Sequence, residues 1–244
     1  MTDPARHVHL GKLTRREFRT RMQSGELRAC IIPLGAVEQH LEHLAMEHDW
    51  RSVMLVAERV AERLAPRVIV ASGVMAGVSE HHMRHPGTLS LRPGTFLAVV
   101  GDLIDSMVRA GFRHVLVLNG HGGNIAPCQG VWDQLQRLAG VNVQFLSYWD
   151  TLTERDAREL LRGGHRLPTD LPGHAQEFET STALAAFPEN VRTEMWTDQP
   201  DQKPSLATAA AGTEFLHRIV DRVSAYLQEM MEGKRVAPTP EYFP

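Results

Sequence analysis

Residues 38–49 read EQHLEHLAMEHD, four carboxylates and three histidines in twelve positions, directly behind the apolar run CIIPLGAV. Glu38 and His40 are two apart, so in an extended segment they face the same side. Asp49 stands where the next helix should begin, and a short loop there can bring its carboxylate back toward them. Carboxylate and imidazole together suit zinc, manganese or iron better than calcium or magnesium. Taken alone, the stretch also fits a solvated loop. Glu42, His43, Glu47 and His48 read as residues that a surface loop can hold.

Three further stretches carry comparable chemistry. NGHGGN (119–124) leaves His121 unobstructed, because Gly122 and Gly123 let the backbone approach a ligand closely. It lacks both GxGxxG and GxxxxGK[ST], which leaves a nucleotide-binding reading weak. In HAQEFETST (174–182), a helix starting near His174 would put His174 and Glu177 on one face. Glu179 would then point about 160° away from Glu177. Glu177 is therefore the expected companion of His174, in metal binding or proton transfer, although acids also favour any helix start. SEHHMRHPGTLSL (79–91) supplies Arg84 and three histidines, His81, His82 and His85, which could be ligands but read equally as substrate contacts or packing around a mouth, and are not assigned to metal. Jointly these stretches offer enough acids and histidines for a two-metal hydrolytic centre with a bridging carboxylate.

The elements that must position them alternate. ACIIPLGAV (29–37), RVIVAS (67–72), HVLVLN (114–119) and VNVQFLS (141–147) are short apolar runs that read as strands. Between them lie helical patterns: a stretch opened by Asp49 as N-cap, then 96–112 and 125–138. Two more helices are expected, one from near His174 and one over 212–232. Strands alternating with helices predict an α/β fold, a mostly parallel sheet covered on both faces, with sites at the carboxyl ends of strands. No linker or repeat divides residues 1–244, so one domain is expected. The Pro-rich ending VAPTPEYFP reads as a loose tail or an oligomer arm.

Composition narrows the classes. The 244 residues carry a net charge of −3, which gives no basic footprint for nucleic acid. No apolar run is long enough to span a membrane. The first residues lack the apolar core of a signal peptide, and the two cysteines make no disulfide scaffold. A reduced, cytoplasmic, soluble protein is expected.

The order of motifs resembles the creatininase (creatinine amidohydrolase) family. The matching pieces are Glu38-Gln39-His40, His43-Leu44, Asp49, PGTLSL (86–91), NGHGGN (119–124) and HAQEFETS (174–181). The resemblance implies a three-layer α/β/α hydrolase with two divalent metal ions, often assembled as a hexamer. By position it makes Glu38, His40, Asp49 and His121 metal ligands, with Asp49 bridging, and gives His174 a proton-transfer role. A family ligand, a Glu two residues after the histidine of the third strand loop, falls on Gly123 here. That places the chain in a GHGGN branch, with Glu177 as the expected replacement. Leu41, Glu42, Ala45 and His48 depart from the family pattern of Gly, Pro, Pro and Thr. These departures argue against assuming creatinine as substrate. The implied activity is attack of a metal-activated water on a ring carbonyl, cleaving a cyclic amide. The alternative is C–C hydrolysis of a cyclic diketone such as 3-dehydro-scyllo-inosose in inositol catabolism. The ligand set alone also suits a metal-dependent sugar isomerase or lyase, or a metal-binding scaffold.

Overall fold

The computed structural model describes residues 7–163 and 171–237; part of the Pro-rich ending, 238–244, lies outside them. Four strands, β1 (Ala29–Leu34), β2 (Val68–Val70), β3 (His114–Asn119) and β4 (Asn142–Ser147), form one sheet in the order β2-β1-β3-β4. Every pairing is parallel, with Ile31 opposite Val70 and Leu116, and Val117 opposite Phe145. The central strands are apolar on both faces because both faces are covered. Ala29, Ile31, Leu116 and Leu118 pack into one core cluster, Cys30, Ile32, Val115 and Val117 into another.

Among the described residues seven α-helices accompany the sheet: α1 (Arg15–Gln23), α2 (His48–Arg63), α3 (Pro93–Arg109), α4 (Ile125–Ala139), α5 (Glu154–Leu160), α6 (Glu177–Ala186) and α7 (Ala209–Met231). Val53, Val56 and Val60 of α2 and Phe215, Ile219 and Val223 of α7 fill the first cluster. Phe96, Val100 and Ile104 of α3 fill the second, with Phe18 of α1 and Cys128 of α4. Each fully buried aliphatic side chain contributes about 1.5–3 kcal/mol by leaving water. The result is the expected α/β layering. Among the described residues, no helix is long and apolar enough to cross a membrane.

Three expectations change. Strand β1 stops at Leu34, so Glu38 and His40 sit on a loop, not on a strand extension. Asp49 is not the N-cap of α2: Glu47 holds that place, and Asp49 lies buried inside the first turn. Helices α1 and α5 were not foreseen. Each begins with a capping box, Thr14 with Glu17 and Thr153 with Asp156, and that Thr-x-x-acid spacing was the available signal.

The chain leaves β1 for β2 on one side, then returns to β3 on the other side of β1. The carboxyl ends of β1 and β3 therefore diverge at a topological switch point, where open α/β sheets bind ligands. Glu38 follows β1 and His121 follows β3.

Candidate metal centre

Five side chains from four segments meet at this switch point: Glu38 and His40 after β1, Asp49 from α2, His121 after β3, and Glu179 from α6. All are at most 4% exposed. His40 Nε2 lies 3.1 Å from Asp49 Oδ1 and 3.9 Å from Glu179 Oε2. His121 Nδ1 lies 2.9 Å from Asp49 Oδ2 and 3.4 Å from Glu38 Oε1. Asp49 thus stands between the two imidazoles, one oxygen toward each.

The outer nitrogens of both rings decide what the inner ones offer. His40 Nδ1–H donates to the carbonyl of Glu38 at 3.0 Å, and His121 Nε2–H donates to the carbonyl of Val78 at 3.0 Å. A neutral imidazole carries one hydrogen, so each ring turns a bare lone pair toward carboxylate oxygens. Glu38 Oε2 and Asp49 Oδ2 are themselves buried without a hydrogen-bond partner. Facing acceptors repel unless a positive charge lies between them, either a proton or a metal ion. Donation of the outer N–H to a backbone carbonyl is the usual support of a metal-bound histidine. The residues therefore fit a divalent cation. Two of the donor groups close enough to share one are His40, Asp49 and Glu179, and Glu38, His81 and His121.

Without a cation, protons take that place. Burial opposes a charge on His40, but the charge and hydrogen bond of Asp49 outweigh it and raise its pKa to about 10. His121 is likewise opposed by burial and raised by Asp49 and Glu38. Burial works against ionisation of Asp49, yet His40 and His121 hold it well below the usual range. Glu179 is pushed up to about 8, by burial first and then by Asp49, against His40. Burial raises Glu38, against the pull of His121.

Local sequence explains the placement. Asn119 accepts the His121 N–H and donates to the His121 carbonyl. Asn124 donates to the Gly35 carbonyl after β1 and accepts from Val78 N–H, so it ties three loops to one another. At Gly120 an added Cβ would lie 2.7 Å from Val53 Cβ and 2.8 Å from the Asp49 carbonyl. Only glycine lets the end of β3 press against the turn that carries Asp49. At Gly123 a Cβ would run into the Val78 carbonyl, the group that orients His121. A ligand from that position would cost His121 its support. Leu41 and Ala175, at φ 56° and 52°, hold the left-handed conformation beside His40 and His174. Such backbone costs roughly 1–3 kcal/mol each and clusters at functional sites.

Glu38, His40, Asp49 and His121 come together as expected; Glu177 does not. Its carboxylate accepts the backbone N–H groups of Arg162 and Gly163 at 2.6 and 2.7 Å. The reason is the helix start: α6 begins at Glu177, and His174 precedes it on irregular backbone. The face shared by His174 and Glu177 does not exist, and Glu179 is the acid that reaches His40. Two histidines assigned to a surface loop are buried instead. His43 pairs with Thr180 Oγ1 at 2.9 Å, and His48 packs on Phe187 and lies 3.3 Å from Ser52 Oγ.

A cavity of about 260 Å³ opens onto the cluster, lined by Glu38, Asp49, Glu179, His81, His82, His121, Gly122, Gly123 and His174 among others. Its size is near the lower end for ligand sites, which suits a small substrate. His85 is exposed, does not line the cavity, and meets Arg84 Nε at 3.3 Å. Burial first, then neighbouring imidazoles, lowers His174 to about 3 and His82 to about 4, so both are neutral over the site. A larger cavity of about 550 Å³ lies elsewhere, between His9, Lys12, Trp50 and Ser72. It contains none of the metal-competent groups found among the described residues.

Comparison with known proteins gives the family. The family model for creatinine amidohydrolase matches residues 11–227. A creatinine amidohydrolase from Pseudomonas putida is 31% identical over 207 residues, 80% of this chain and 78% of that protein. A 3-dehydro-scyllo-inosose hydrolase from Thermotoga maritima is 27% identical over 78% of this chain and 60% of its own length. A mycofactocin precursor peptide peptidase from Mycobacterium tuberculosis is 29% identical over 68% of this chain and 61% of its own. Among solved structures, a manganese creatininase superposes with a TM-score of 0.78 at 28% identity, covering 92% of this chain and 99% of that one. A Zn-Zn form of a creatininase mutant gives the same score and identity, covering 92% and 98%. The clustered acids and histidines at the switch point, and a family match over most of the chain, make this protein a hydrolase of the creatininase family.

Proposed function

We propose that the protein is a dinuclear metal hydrolase that cleaves an amide C–N bond in a small cyclic substrate. The observation that carries this is the pair of bare imidazole nitrogens, His40 Nε2 and His121 Nδ1, turned onto opposite oxygens of Asp49. His40, Asp49 and Glu179 would hold one ion and Glu38, Asp49 and His121 the other, with Asp49 common to both sets. Divalent ions such as zinc, manganese or iron supply Lewis acidity there, lowering the pKa of a water and polarising a carbonyl. His174, on the cavity wall with Nδ1 3.7 Å from Glu38 Oε1, moves the proton toward the leaving group. His81 and His82 contact the substrate, and Gly122 and Gly123 let its ring approach the backbone. Exposed Met83 and Leu89 beside this mouth support cover by another subunit in a homo-oligomer, a hexamer in our reading.

C–C hydrolysis of a cyclic diketone is the second reading. It is favoured by a mouth rich in imidazoles, which suits a polyhydroxylated ring, and by Leu41 and Glu42 at departing positions. Cyclic amides and oxidised inositols are screened with the metal-loaded protein in ¹⁸O-labelled water. Hydrolysis of either bond places one solvent oxygen in the product. A product formed without solvent oxygen would overturn both readings.

A further inference from the structure

Four of the site's histidines, His40, His121, His82 and His174, have rings that could each bind metal or carry a proton. We propose that Gln39 divides these roles, by fixing His174 and His82 in the tautomers that cannot bind metal through the nitrogen facing Glu38. The proposal rests on the metal reading above and deepens it.

Gln39 Oε1 accepts the Leu41 N–H at 3.0 Å, so the carboxamide can face only one way. Its Nε2 then lies 2.8 Å from His174 Nε2 and 2.9 Å from His82 Nδ1, with His82 Nε2 further off at 3.5 Å. An amide NH₂ has two hydrogens and no lone pair to offer. It can meet both rings only where their nitrogens are bare. The hydrogen of each neutral ring therefore sits on the other nitrogen. For His174 that is Nδ1–H, 3.7 Å from Glu38 Oε1. For His82 it is Nε2–H, 3.8 Å from the same oxygen.

The contrast with the other pair is complete. His40 and His121 give their outer hydrogen to backbone carbonyls and keep a bare nitrogen inward. His174 and His82 receive a hydrogen from outside and keep N–H inward. Glu38, His40 and His174 are close enough to form a three-donor group, but a nitrogen that carries hydrogen has no lone pair for a cation. Gln39 is a positioning residue: it keeps His174 out of the ligand set and loaded with a proton that points into the site. Its own backbone N–H donates to Thr88 Oγ1 at 3.1 Å, which anchors it to the histidine loop.

The test is the tautomer itself, read by long-range ¹H–¹⁵N correlation on protein with ¹⁵N-labelled histidine. Spectra are taken on chelator-stripped and zinc-loaded samples, with peaks assigned by their loss in His174→Asn and His82→Asn. In the wild-type chain His174 should appear as Nδ1–H and His82 as Nε2–H. Gln39→Glu offers only acceptors and should shift both hydrogens to the opposite nitrogens. Gln39→Met removes the donors without adding charge and should leave mixed tautomers. His174 found as Nε2–H in the wild type would overturn the proposal, as would tautomers unchanged in both variants. If Gln39→Glu does not fold, the wild type and Gln39→Met decide. Zinc content of the same samples separates the two readings. Bound zinc with the opposite tautomers overturns the role of Gln39 and leaves the metal centre standing. The expected tautomers in a chain that binds no zinc overturn the metal centre itself.

Discussion

Glu177 and Glu179 are two positions apart, and the structure separates them: one clamps the backbone at Arg162 and Gly163, the other faces His40. Glu179→Gln should weaken zinc binding by at least about tenfold, the lower end of what even supporting residues contribute. Glu177→Gln should leave affinity within about twofold, each measured by calorimetric titration. Equal losses would merge the two roles. The metal-free site also predicts a pH dependence. His40 has a folded pKa of about 10 against 6.5 unfolded, so its contribution is complete below 6.5 and lost as pH rises through 10. Glu179, at about 8 against 4.5, keeps its proton longer in the folded state and acts in the same direction. The chelator-treated protein should therefore melt at progressively lower temperature from pH 6.5 to 10. Bound zinc takes the place of those protons and should flatten the slope. Glu38, His40, Asp49 and His121 were singled out by the resemblance, position by position, and the structure brings them together. Glu179 was not, because nothing in an alanine announces the left-handed backbone of Ala175 that delays the helix.

At the scale of elements, the strands were readable as short, largely apolar runs, and β3 matched its expected bounds from His114 to Asn119. The loops were not readable. Their course depends on distant anchors such as Asn124, whose partners Gly35 and Val78 lie 89 and 46 residues away. The contact between β3 and the first turn of α2 depends on Gly120. Gly120→Ala should cost about 1–3 kcal/mol, as overpacking does, and should also weaken zinc binding because Asp49 moves with that turn. Chemical denaturation and zinc titration of the variant check both. An alanine that left stability and affinity unchanged would show that this contact does not position Asp49.

For the molecule as a whole, the sheet order brings together strand ends that no local pattern connects, and the centre joins four segments across it. An ion bound there links α2, α6 and the loops after β1 and β3, so it should stabilise the entire fold. At free zinc about a hundredfold above the dissociation constant, binding should contribute about 2.7 kcal/mol and raise the melting temperature by about 5–10 °C. The homo-oligomer proposal predicts a sedimenting mass of six copies of the 27.3 kDa chain; a monomer in sedimentation velocity would contradict it. The central claim is that His40, His121 and the three acids hold a dinuclear centre. Its most direct test is titration of zinc or manganese into the chelator-stripped protein with metal counted per chain. Two ions bound per chain is the predicted result; a chain that binds none would contradict the account.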